Sequence, residues 1–226
     1  RRPATTHRGG GGTSACPAAA HGECAVLAGT DSEYSRKSTE ANEGRTTLAA
    51  TYRKDMLYGE PPSGDLWHDQ RRTGVGGSDA GAIIGVSPYA SALSVWREKL
   101  GRAPERSEPS ERMVWGSRLE SAILDGYAAD TGVDVRRIGI MLRHPKYPFI
   151  VGHPDGLAPD RIVEVKTTSH LGEQWGPDGS SDVPGHYYAQ VQHYLILSGK
   201  PRADLAALVG GRELHIYVIP ADAPFQ

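Results

Sequence analysis

The chain has 226 residues, 38% hydrophobic and 23% charged, with 28 glycines and 16 prolines, which suits one ordinary domain plus a polar tail. Its formal net charge of −2 excludes an overall basic coat, so any nucleic-acid contact has to come from a local patch. No apolar run nears the roughly 20 residues of a membrane span, and none resembles a secretory signal, so no membrane contact is expected.

Residues 1–60 are rich in Gly, Ala, Ser, Thr and charge, with few large apolar side chains. Such a segment buries too little to offset its ordering entropy and is expected to be disordered, low-complexity sequence without a specific role. Both cysteines, Cys16 and Cys24, lie in it. They could pair, but a reducing compartment is the default for such sparse cysteine usage. A chain that opens at Arg1 and stops at Phe225-Gln226 reads as a fragment, truncated at its C-terminal end.

Periodic signals begin at Asp65, so the folded domain is expected over 65–226. Ser78 to Ile84 reads as a short helix with Ser78 as its N-cap, stopped by Gly85 and Pro88. Ser91 to Leu100 is a second helix, with Leu93, Trp96 and Leu100 at helical spacing and Gly101 closing it. Glu108 to about Asp130 is a longer one, carrying Val114, Leu119, Ile123 and Tyr127 near one stripe before Gly132. The period then changes to two. Val133 to Leu142, Phe149 to Gly152 and Ile162 to Thr167 read as strands separated by HPKYP and PDGLAPD turns. Pro184 to Leu197 is helical again, and Leu205 to Val209 and Leu214 to Ile219 form a final strand pair joined at Gly210-Gly211. The order predicts a mixed α/β domain around one sheet.

The chemistry concentrates in VGHPDGLAPDRIVEVKTT. On a strand, Ile162, Glu164 and Lys166 share one face while Val163 and Val165 share the other. Asp155 sits in a Pro-Asp-Gly turn nine residues before Glu164, and a return of that length brings the two carboxylates to one end of the sheet. Two carboxylates with water and phosphate oxygens suit Mg²⁺. Lys166 can hold or activate an attacking water, or offset charge on a phosphate. Glu120, in WGSRLE, is a third candidate carboxylate. Gln190 and Tyr194 lie four apart on one helical face and need polar partners within an apolar helix.

Together RRTGVGGSDAGAIIGVSPY, WGSRLE, GHPDG, EVKTT and YYAQVQHYL, in that order, resemble the YqaJ-type viral recombinase nucleases, which are related to lambda exonuclease. The resemblance implies a PD-(D/E)xK, restriction-endonuclease-like core with a mixed central sheet flanked by helices. It implies that Glu120, Asp155 and Glu164, with the Val165 carbonyl, hold Mg²⁺, for which Mn²⁺ could substitute. Lys166 would position or activate the attacking water, and Gln190 would orient the lysine or the substrate. Arg71 and Ser78 would grip a DNA 5′-phosphate, an arginine fork and a helix start being suited to an anion. His153 stands where lambda exonuclease has a serine. The implied activity is a Mg²⁺-dependent 5′→3′ exonuclease on double-stranded DNA ends in phage-type recombination. A toroidal homo-oligomer (a trimer), a single-strand annealing partner and the cytoplasm of a bacterium or phage-infected host are implied with it.

Three rivals compete. A RecB-like or restriction-type nuclease of other polarity also fits the Gln190–Tyr194 spacing, although its iron–sulfur version needs four cysteines that the domain lacks. A non-catalytic DNA-end-binding relative would keep the fold without the reaction. A zinc protein would use His186, His193 and His215.

Overall fold

Strand Arg161–Thr168 organises the fold, because Ile162, Val163, Glu164 and Val165 are all buried and both of its faces have to be covered. The computed structural model describes residues 57–58, 65–103, 108–137 and 139–226, all within one unit, Thr46–Gln226. The expectation of disorder for 1–60 and the possible Cys16–Cys24 pair therefore fall, apart from 57–58, outside the described residues. In chain order the elements are β1 (Leu57–Tyr58), α1 (Asp65–Arg72), α2 (Gly77–Ile83), α3 (Ala92–Lys99) and α4 (Glu111–Thr131). Then follow β2 (Met141–Arg143), β3 (Val151–Gly152), β4 (Gly156–Leu157) and β5 (Arg161–Thr168). Helix α5 (Gly185–Ser198) and strands β6 (Arg202–Val209) and β7 (Glu213–Pro220) complete the chain.

The central sheet is mixed, in the order β4-β5-β6-β7. β5 and β6 run parallel, with Glu164 opposite Leu205 and Lys166 opposite Ala207, while β4 and β7 are antiparallel to their neighbours. Parallel neighbours need a crossover, and α5 supplies it. Val191, Leu195 and Leu197 of α5 pack with Ile162 and Leu205 on one face. On the other face Ile123, Leu124 and Tyr127 of α4 pack with Val163, Val165 and Ala206. The expected α/β core, a mixed sheet flanked by helices, is the one observed. A smaller antiparallel sheet, β1-β2-β3, lies beside it, so the domain is not built around one sheet alone.

Both rims of the central sheet are covered. At β7, loop amide Gly179 donates to the Ile216 carbonyl and Val218 donates to the Ser180 carbonyl, each at 2.9 Å. At β4, Arg136 and Leu157 exchange backbone hydrogen bonds of 2.8 Å in both directions.

Several elements depart from expectation. Helix α1 was not anticipated. α2 starts one residue early, with Gly76 in extended backbone as its cap; Asp79, not Ser78, closes the turn by accepting the Gly76 N–H at 2.8 Å. The apolar stripe of α3 faces outward: Leu93, Trp96 and Leu100 are 54%, 52% and 50% exposed, and Val95 is the buried residue. Helical spacing shows that such residues share a face but not which way it points. The strand expected over Val133 to Leu142 is broken, because Gly139 takes a φ of 60° and only Met141–Arg143 joins a strand. Conversely, the PDGLAPD turn contains β4.

A buried polar network ties α4 to the sheet. Asp204 Oδ2 accepts the Tyr127 hydroxyl at 2.5 Å, Arg161 Nη1 at 2.9 Å and Arg202 Nη2 at 3.1 Å. Burial and the Asp204 carboxylate both push the Tyr127 phenol far above its usual range. Removing one partner of such a cluster strands the others without compensation. Asp204→Ala is expected to lower the unfolding free energy by about 3–5 kcal/mol, read from the urea midpoint at unchanged slope.

Candidate active site

Residues from every layer of the domain meet in a cavity of about 750 Å³. β5 contributes Glu164, Val165 and Lys166, the turn before β4 contributes Asp155, α4 contributes Glu120, and α5 contributes Gln190 and Tyr194. Period two puts Glu164 and Lys166 on the α5 side of the strand. There the Lys166 ammonium reaches Glu164 Oε1 at 2.6 Å, and Gln190 Nε2 donates to the same oxygen at 2.7 Å. Asp155 Oδ2 accepts the Val165 N–H at 2.8 Å, which pins the turn to the strand edge. Tyr194 donates to the His153 carbonyl at 3.2 Å and receives a longer bond from Gln190.

The site holds its carboxylates against the cost of burial. Glu164 is 2% exposed, and its Oε2 is buried with no hydrogen-bond partner. Burial raises its pKa, and the neighbouring Lys166 offsets this only in part. Asp155 is pushed up by burial and then by the Glu164 charge. Burial works against the charged form of Lys166, but Glu164 and Asp155 outweigh it and hold the ammonium above its ordinary pKa. Burial and then Arg71 lower His153 to about 4, so its imidazole is neutral near pH 7. The Lys166 ammonium also lies 5.2 Å from the Tyr187 ring centroid, within cation–π range.

Arg71 and Ser78 lie in contact. Arg71 Nη2 donates to Ser78 Oγ at 3.0 Å, so the serine hydroxyl serves this contact rather than capping a helix. Beside them Asp79 is buried between Lys99, at 2.6 Å, and Arg71, at 3.4 Å. Arg71 and Lys99 thus meet at one buried carboxylate beside this end of the cavity.

Glu120 is drawn partly away. Its Oε1 accepts Arg137 Nη2 at 2.9 Å, and among the described residues no three His, Cys, Asp or Glu side chains gather closely enough to form a metal-ligand set by themselves. His186, His193 and His215 do not converge: His193 is bonded to the Val151 carbonyl at 2.8 Å, while His215 faces Glu213 on β7. Sequence reasoning missed Asp79, Lys99, Arg137 and the support that Tyr187 gives Lys166. Asp79 carried a usable signal, an acidic residue three positions after a glycine at a helix start. The other three depend on tertiary contacts.

The fold that holds this site is of the restriction-endonuclease-like kind. The alkaline exonuclease LHK-Exo of Laribacter hongkongensis matches it with a TM-score of 0.54 at 18% identity, covering 72% of this chain and 84% of that one. A phage-related exonuclease of Haemophilus somnus 129PT gives 0.52 at 16% identity, covering 70% and 89%. The chain belongs to the YqaJ-like viral recombinase family, whose domain model matches residues 66–201. The uncharacterized protein YqaJ of Bacillus subtilis (strain 168) is 36% identical over 156 residues, 67% of this chain and 48% of that protein. A protein of African swine fever virus (strain Badajoz 1971 Vero-adapted) is 27% identical over 160 residues, 59% of this chain and 45% of that protein. The chain thus spans about half the length of the curated relatives it matches.

Tyr194 fits only because two glycines make room for it. A Cβ on Gly77 or on Gly152 would lie 2.6 Å from its ring. Gly152→Ala is expected to cost about 1–3 kcal/mol in thermal or urea unfolding, the usual range for overpacking a core. A substitution that leaves stability unchanged would show that the Tyr194 ring is not held against β3.

Proposed function

We propose that this chain is a divalent-metal-dependent deoxyribonuclease that degrades double-stranded DNA from its ends, in the 5′→3′ direction, in phage-type recombination. The observation that carries the reading is the cluster of Asp155, Glu164, Lys166 and Gln190 in one cavity, with a buried carboxylate oxygen left unpartnered. The LHK-Exo exonuclease, which has this fold, has been crystallised with dAMP.

The residues fit a hard cation. Burial and the Glu164 charge raise Asp155's need for a cation, and Glu164 Oε2 is an oxygen donor without a hydrogen bond. In an extended strand the N–H and C=O of one residue leave by the same edge, so the Val165 carbonyl shares the edge where its N–H meets Asp155. Glu120 completes the proposed set by turning from Arg137. When bound, Mg²⁺, or Mn²⁺ in its place, supplies an acidified water and offsets phosphate charge. Gln190 fixes the Glu164 carboxylate. Lys166, kept protonated by its acidic neighbours, orients the attacking water and stabilises charge developing on the phosphate rather than serving as a free base. At the other end of the cavity, the Arg71 guanidinium and the Ser78 hydroxyl beside it suit a terminal 5′-phosphate. A trimeric ring and a single-strand annealing partner extend the proposal on family resemblance alone.

Glu164→Gln and Lys166→Ala should each reduce degradation of linear duplex by about 100-fold or more while DNA binding is largely kept, because phosphate contacts elsewhere position the strand. The assay compares 5′-phosphorylated linear duplex with closed circular DNA, with Mg²⁺ and with chelator. Turnover in chelator, or wild-type rates in either variant, would sink the assignment.

End recognition is tested separately. Wild type should degrade 5′-phosphorylated ends faster than 5′-hydroxyl ends, and Arg71→Ala should abolish that difference. Initial rates on the two substrates at one fixed salt concentration decide it. An equal loss on both, with the preference intact, would make Arg71 an ordinary phosphate contact.

A further inference from the structure

Helix α4 is a wall between two cavities. Met113, Gly116 and Glu120 line the catalytic one. On the neighbouring face Arg112, Trp115 and Leu119, spaced i, i+3, i+7, line a second cavity of about 410 Å³. Arg112 and Thr167 border both, so the second space continues from the first along the C-terminal end of β5. The far wall is the Gly210-Gly211 turn, where positive φ values of 58° and 70° and the lack of side chains leave the groove open.

The lining has a particular chemistry. Trp115 is 54% exposed, with the Arg118 guanidinium 5.1 Å from its ring centroid. Thr168 and Ser169 add hydroxyls. Among the described residues lining the groove, Arg112 carries the one formal charge, and it is positive. A half-exposed indole, hydroxyls and a guanidinium in a lining without a carboxylate match a nucleobase joined to a phosphodiester. An apolar peptide would offer nothing to the Arg112 charge.

We propose that this groove is a nucleotide subsite for the strand being cut. It holds a base stacked on Trp115 and a phosphate near Arg112, on the side of the scissile bond away from Arg71 and Ser78. The inference rests on the nuclease reading and adds to it the path of the strand beyond the catalytic carboxylates. Because every base has a π-face, the contact is indifferent to sequence.

The test is binding of a 5′-phosphorylated single-stranded oligonucleotide, fluorescein-labelled at its 3′ end, by fluorescence anisotropy of the full chain in chelator. Trp115→Ala should weaken binding roughly 10- to 100-fold, while Trp115→Phe keeps most of the affinity. A scan with single abasic nucleotides separates stacking from a structural effect. Wild type should lose affinity at one abasic position, and Trp115→Ala should be insensitive there. Trp115→Ala binding as tightly as wild type, or an undiminished abasic penalty in it, overturns the subsite while leaving the nuclease reading intact if wild type still binds and cleaves. A wild type that binds no oligonucleotide and cleaves no duplex overturns both.

Discussion

Burying the Glu164 carboxylate in the middle of a sheet is the constraint on which the rest of the domain depends. A desolvated carboxylate costs several kcal/mol unless a counter-charge and hydrogen bonds compensate it. Here both compensating donors, Lys166 and Gln190, converge on Oε1, which leaves the buried Oε2 without a hydrogen-bond partner. The lysine comes from the same strand and the glutamine from the crossover helix. The site therefore exists only when β5 and α5 are docked, and folding and assembly of the chemistry are one event.

The second requirement is that α5 sit at a fixed depth over the sheet. Tyr194 sets it. The ring lies against Gly77 of α2 and Gly152 of β3, while its hydroxyl reaches the His153 carbonyl. One side chain thus ties the crossover helix to the segment bearing Ser78 and Asp79 and to the strand leading into Asp155. Gln192, fully buried on the same helix, binds the Pro220 carbonyl and the Asp222 amide and fastens the end of the chain. The catalytic cavity and the C-terminal residues are anchored from neighbouring turns of α5.

Much of the core of this site was legible in the sequence because strands alternate. A glutamate and a lysine two apart in RIVEVKTT had to share a face, and Gln190 and Tyr194 four apart had to share another. Those rules concern near neighbours and do not depend on the rest of the fold. What stayed illegible needed three-dimensional knowledge. The α3 stripe of Leu93, Trp96 and Leu100 had the spacing of a core face but points outward. The bond between Glu120 and Arg137 joins two elements whose approach no local pattern encodes. Ser78 had the chemistry of a cap, yet Gly76 and Asp79 took that role and released its hydroxyl to Arg71. The break at Gly139 lay inside an alternating pattern that reads as one continuous strand.

The covered rims of the central sheet have a further consequence. A visiting β-strand would need open amides and carbonyls along β7 or β4, and here the Gly179–Ser180 loop and Arg136 already occupy several of them. Growth by adding strands would first have to strip away native backbone pairing. Copies of this domain can therefore crowd together without zipping into a shared sheet through these rims. Contact between copies at these rims has to be made by side chains, which evolution can tune one residue at a time.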